Sequence, residues 1–203
     1  MADGDLLPEL YIWDMPWKLD RFQGVRMFNS GDSQVNEQAE PRWNIEVSTR
    51  WLEEDDFQEL DAWIVDREGS GSTFLTWRMA RPFGRVPVVS DVGLTVTAVD
   101  RAASTVSFGG TGTWTVTRGD MLSFYTAAGG YWCGMAMETR AASGGNMLGL
   151  KVKPNPFPAH ASLAAPRRIK ALAEFQMVLP VPTPIERVDE RMYNFAATQI
   201  IRG

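Results

Sequence analysis

The sequence is short of the residues that most often carry chemistry. Its 203 residues include one cysteine and one histidine. A single cysteine, Cys133, forms no disulfide within the chain, so a disulfide-stapled scaffold is excluded. Cys133 and His160 cannot supply the four ligands of a Cys/His zinc site. No acidic loop has EF-hand spacing. A Ser–His–Asp or Cys–His catalytic group has only His160 to draw on. That residue sits in the Pro/Ala-rich stretch 154–166, and no G-x-S-x-G turn presents a serine. A concentrated basic run is also missing. The chain carries 20 Lys+Arg against 25 Asp+Glu, for a net charge of −5. Arg167, Arg168 and Lys170 are its densest basic group, which argues against nucleic acid as a partner. The acidic start, Met1–Pro8, has no apolar stretch of the secretory kind. No run approaches the roughly 18 apolar residues of a membrane span, so membrane insertion is not expected.

What is present is an aromatic, β-rich pattern. Hydrophobic residues make up 44% of the chain, and eight are tryptophan. At this length folding should bury about 70% of the unfolded surface. From Trp43 to Trp51, Trp43, Ile45, Val47, Thr49 and Trp51 alternate with Asn44, Glu46, Ser48 and Arg50. That period of two predicts a strand with one buried face. The carboxylates Glu53, Glu54, Asp55 and Asp56 follow, where a helix dipole favours negative charge. Phe57, Leu60, Trp63 and Ile64 then recur at helical spacing, and Gly69 suits the stop. The pattern predicts a helix at about 54–68, and a strand at Ser72–Arg78 with Phe74 and Trp77. The expected core is therefore Trp43, Ile45, Val47, Trp51, Phe57, Leu60, Trp63, Ile64, Phe74 and Trp77. Upstream, Gly31-Asp32-Ser33 and Glu40-Pro41 read as turns.

The texture changes after Arg81–Pro87. Short strands with small turns take over at 93–99, 105–108, 113–117, 121–126, 131–139 and 147–153, the spacing of a small sandwich or barrel. Ala171–Leu179 reads as one more strand. Pro180–Pro184 reads as an extended arm, and Tyr193–Ile201 as a final strand or docking segment. The expected fold is mainly β, sandwich- or barrel-like, with one prominent helix. In domain terms it is an α+β hub over residues 1–90 plus 166–203, with a small β domain inserted at 91–165. The stretches 81–90 and 154–168 look like paired connections into and out of that insertion.

An ordered series of segments then carries a resemblance. It runs "WDMPW" (Trp13–Trp17), "RWNIEVSTRWL" (Arg42–Leu52), "DDFQELDAWIVDREG" (Asp55–Gly69) and "STFLTW" (Ser72–Trp77). It continues with "RGDML" (Arg118–Leu122), "GYW" (Gly130–Trp132) and "AEFQMVLPVP" (Ala173–Pro182). In this order the chain resembles the distal-tail and tail-tip structural proteins of long-tailed, siphovirus-type bacteriophages and gene-transfer agents. The resemblance implies a β-rich, non-enzymatic virion protein that forms rings, typically of six copies, at the end of the tail tube. Its implied partners are copies of itself, the tail-tube protein and the tail-tip hub protein. The implied location is the phage tail tip, after synthesis in the bacterial host cytoplasm. Some proteins of this kind carry an inserted carbohydrate-binding domain, so a host-surface glycan is the alternative ligand.

The remaining motifs have ordinary structural readings. Two of the carboxylates Glu53–Asp56 could serve a glycosidase, but an acidic helix start explains all four. Gly109–Gly112 lacks the following Gly-Lys-Ser/Thr and helix of a phosphate loop, and reads as a hairpin turn. Arg118-Gly119-Asp120 reads as a tight turn, and Cys133 as a buried thiol. No cofactor, catalytic or metal-ligating residue is expected. The undecided group is Trp114, Tyr125, Tyr131 and Trp132. Core, subunit interface and sugar stacking are all open to them.

Overall fold

The computed structural model describes residues 6–27, 33–67, 72–85, 93–127, 129–156, 166–178, 184–186 and 190–200, with backbone alone for 22–27, 33–39 and 186. His160, the stop at Gly69 and residues 180–183 of the Pro-rich arm lie outside them. In chain order come β1 (Ile12–Asp14), β2 (Trp17–Met27), β3 (Ser33–Thr49), helix α1 (Glu54–Asp66) and β4 (Phe74–Thr76). The middle holds β5 (Thr95–Asp100), β6 (Thr105–Gly109), β7 (Thr115–Val116), β8 (Met121–Tyr125), β9 (Tyr131–Ala136), β10 (Arg140–Ala141) and β11 (Asn146–Lys153). β12 (Ala173–Met177), β13 (Ile185–Glu186), β14 (Arg191–Met192) and β15 (Asn194–Gln199) follow. The protein is mainly β with one prominent helix, as its patterning predicts.

The first sheet has the order β1-β3-β15-β12-β4, with β2 also paired to β3. Its inner face carries Trp43, Ile45, Val47, Phe74, Phe175, Phe195 and Ala197, and α1 adds Phe57, Leu60 and Ile64. The alternation along β3 falls as predicted up to Thr49. Trp51 is a correction: β3 has already ended, and Trp51 is half-buried outside this core. The chain turns because Arg50 N donates to Tyr11 O, and the Leu52–Arg191 bridge delivers Leu52 to the interior instead. Trp63 is also only partly buried, packed against the core with its ring edge-on to Phe74. Glu40-Pro41 is the second correction, since both lie within β3. The register shifts there, between Asp20↔Arg42 and Phe22↔Ala39. An irregularity of this kind is where a strand tolerates proline.

Helix α1 is anchored through its polar side as well. Tyr11 Oη donates to Glu59 Oε2 at 2.8 Å, and Tyr193 Oη donates to Asp61. Tyr193 stacks on Phe57 with ring centroids 5.4 Å apart.

The second sheet has the order β5-β6-β11-β9-β8. Its own interior holds Val106, Phe108, Trp114, Leu122, Phe124, Trp132, Met147 and Leu150. Two glycines are required there. Gly110 has φ +72°, and a Cβ would lie 2.1 Å from Gly93 O. At Gly134 a Cβ would lie 2.5 Å from the Trp132 ring and 3.0 Å from Lys153 O. The two sheets meet at β8 and β9. Met121 and Cys133 belong to the first core, while their neighbours Leu122 and Trp132 belong to the second. Trp43 Nε1 donates to Cys133 O at 3.1 Å across this seam.

Candidate functional site

Four features could carry function, and the first two begin with sequence expectations. The undecided aromatics divide into two pairs. Trp114 and Trp132 are 6% and 4% exposed, so they are core residues and cannot act as surface contacts of the folded chain. Trp114 meets Phe108 edge-on at 5.7 Å, and Trp132 stacks on Phe124 at 4.8 Å. Of the three readings open to them, core holds for both, and Trp132 is enclosed because β9 is covered on both faces. Tyr125 is 43% exposed and packs edge-on to the half-buried Tyr131 at 5.4 Å. That pair is all that remains of a sugar-stacking surface.

The four carboxylates Glu53–Asp56 stand at the start of α1, with Glu53 in the capping position. Glu54 accepts from Gln58 Nε2 at 3.0 Å and pairs with Arg191 at 3.1 Å. The Gln58 hydrogen bond, aided by Arg191, holds the Glu54 carboxyl below its ordinary value. Asp56 pairs with Arg50 at 3.1 Å. A general acid needs the opposite shift. Cys133 is fully buried and burial pushes its thiol up, which suppresses the nucleophilic thiolate. Arg118-Gly119-Asp120 is a turn whose aspartate is buried, accepting from Thr117 N at 2.9 Å.

An open depression of about 270 Å³ lies on the outer face of the first sheet. Lys18, Asp20, Asn44, Glu46, Val178 and Thr198 line it. Its polar groups largely engage one another: Asn44 Nδ2 donates to Asp20, and Lys18 Nζ lies 3.6 Å from Asp20 Oδ1.

The fourth feature is the least legible in the sequence. β15 pairs with β3 only from Asn44 to Ser48. Toward its start, β3 continues to Ser33 with β2 alone, through Phe22↔Ala39, Gln23↔Glu37, Gly24↔Asn36, Val25↔Val35, Arg26↔Gln34 and Met27↔Ser33. Residues 33–42 therefore form a two-stranded ribbon with β2, about 30 Å long at the ordinary rise per residue. Among the described residues no third strand pairs with either edge of it.

Compared with models of known protein families and with curated proteins, the chain matches none.

The site must therefore be read from its own geometry. The ribbon escaped the sequence reading because its residues are polar and Glu40-Pro41 suggests a turn. Trp13, 81% exposed on edge strand β1, is in neither the expected core nor the undecided group. Period-two spacing would set Trp13 on the same face as the buried Tyr11 and Met15, so no local signal marks its exposure.

Proposed function

We propose that the chain is a non-enzymatic structural protein that forms a ring at the distal end of a long phage tail. The ring joins the tail tube to the tip complex that meets the host. Its partners are then copies of itself, the tail-tube protein and the tail-tip hub protein. The observation that carries this reading is the β2–β3 ribbon. An isolated two-stranded hairpin is at best marginally stable in water, and its unpaired edges are templates for pairing with another chain. A head-to-tail contact between identical copies closes into a ring when the rotation permits. The ordered sequence resemblance points the same way. With Trp114 and Trp132 inside, Tyr125 is the one exposed ring of the four undecided aromatics and carries no separate glycan reading. Among the described residues no helix is long and apolar enough to cross a membrane.

The test is electron microscopy and light scattering of concentrated protein, with antibody labelling of the native particle. Rings, and label at the far end of the tail, are the expected result. Deleting residues 24–36 removes most of the ribbon and should abolish rings while leaving the melting transition of the monomer nearly unchanged. Monomers alone at every concentration, with no label on the particle, would sink the reading.

A further inference from the structure

Hydrogen bonds join the backbone segments that carry Arg81, Arg85, Arg118 and Arg167, which the sequence scatters between residues 81 and 167. Arg85 N donates to Asp120 Oδ1 at 3.0 Å, and Thr117 N, beside Arg118, donates to Asp120 Oδ2 at 2.9 Å. Arg167 pairs with Ser123 on β8, three residues from Asp120. Lys170 N donates to Pro82 O, beside Arg81. The segments leading into and out of the second sheet thus gather around one buried aspartate, whose two oxygens accept backbone N–H groups. The side chains of Arg81, Arg85, Arg118 and Arg167 are all exposed. Among the described residues none of the four forms an ion pair. Phe83, 61% exposed, stands between Arg81 and Arg85. In a chain of net charge −5 this junction is a local excess of positive charge.

The outer face of α1 has the opposite character. Glu53, Glu54, Asp55, Glu59 and Asp66 are exposed. Asp55, Gln58, Ala62 and Val65 follow one another at spacings of three and four, which places them on one stripe. Val65 is 55% exposed. Phe83 is thus an exposed apolar residue among arginines, and Val65 an exposed apolar residue on a net acidic face, where Glu54 and Asp66 are paired with Arg191 and Arg67 while Glu53 and Asp55 form no ion pair among the described residues. An apolar centre with a polar rim is the usual anatomy of an interface.

We propose that the arginine junction of one copy docks on the acidic outer face of α1 in the next copy. The proposal rests on the ring reading, because a head-to-tail contact needs two different, complementary patches on one subunit. A two-fold contact through the junction would set arginine against arginine. The opposed charges select the partner and its orientation, and Phe83 and Val65 give the contact a dry centre.

Sedimentation velocity of the full chain at low and high salt tests this. The parent should associate with rising concentration, and less so at high salt, where exposed charges are screened. Arg81→Glu/Arg85→Glu/Arg167→Glu should weaken association by roughly ten-fold or more. Asp55→Lys/Ala62→Lys should do the same. Both sets in one chain should restore association, because the charges are again opposed. All these side chains are exposed, so the parent's circular dichroism should persist, and a neutral Arg→Gln set should show a smaller loss in the same direction. If the parent assembles and the reversed junction assembles equally well, the proposal falls and the ring reading survives on its ribbon. A parent that stays monomeric overturns both. Binding of inorganic polyphosphate that the reversed junction loses, with association unchanged, would make the patch a polyanion site and overturn the proposal.

Discussion

The hairpin β8–β9 and the ribbon β2–β3 are both antiparallel pairs of consecutive strands, yet their surroundings are opposite. β8 and β9 are covered on both faces, by the first core through Met121 and Cys133 and by the second through Leu122, Phe124 and Trp132. The outer edge of β8 is closed by the Ser123–Arg167 bridge, with bonds of 2.9 and 2.6 Å. The ribbon beyond Arg42 has a partner on one side of each strand only. The sequences follow the surroundings. β8 and β9 read MLSFY and YWCGMA, whereas the ribbon reads FQGVRM and SQVNEQA. Apolar residues on consecutive positions suit a strand buried on both faces. The ribbon instead mixes polar residues with Phe22, Val25, Met27 and Val35, and has no such run. One hairpin is a joint inside the protein, and the proposed ring would make the other a joint between proteins.

The comparison breaks most readily at Trp132. Trp132→Ala should destabilise the isolated chain by about 3–5 kcal/mol, the usual range for deleting a large buried aromatic. Urea denaturation followed by tryptophan fluorescence measures it. A loss below about 1 kcal/mol would mean that the second core does not depend on β9. Trp43→Phe comes next and acts on the seam. It removes the Nε1 donor to Cys133 O and a little ring volume, at a cost of about 1–2 kcal/mol. Alkylation of Cys133 under native conditions gives a second reading of the same seam. The buried thiol should react slowly in the parent and faster in Trp43→Phe. Equal rates would show that the seam is held by other contacts.

How far the sequence foretold this depends on whether each signal is local. Trp43, Ile45 and Val47 were legible because one face of β3 is buried and the other is wet, and α1 because its acidic start and apolar spacing are both local. Trp51 was misjudged because a distant pairing, Leu52 with Arg191, ends the alternation two residues early. Trp132 stayed undecided between core and surface because a strand covered on both faces loses its period of two, and Trp114 because it stands at the end of a turn just before β7. Nothing in Met121–Tyr125 tells a doubly covered strand from an exposed sticky one. The arginine junction is a product of topology, and no local window contains it.

The smallest effect sharpens the comparison from the helix side. Glu54 is bonded within its helix by Gln58 and across to β14 by Arg191. Its folded pKa lies below the ordinary value of 4.5, with the Gln58 bond as the largest cause. A group whose folded pKa is depressed contributes stability above its unfolded pKa and loses it as pH falls through the folded one. The contribution should therefore be present at neutral pH and disappear below about pH 4.5. Because the carboxylate is exposed, the effect on denaturation should be far smaller than that of Trp132→Ala. Gln58→Ala should move the Glu54 titration, followed by NMR, up toward the ordinary value. Arg191→Ala should move it less. The reverse order would mean that β14, and not the helix itself, governs this end of α1. The acidic face would then be held by the same long-range pairing that places Leu52, and its charge would be coupled to the first core rather than free to serve a neighbour.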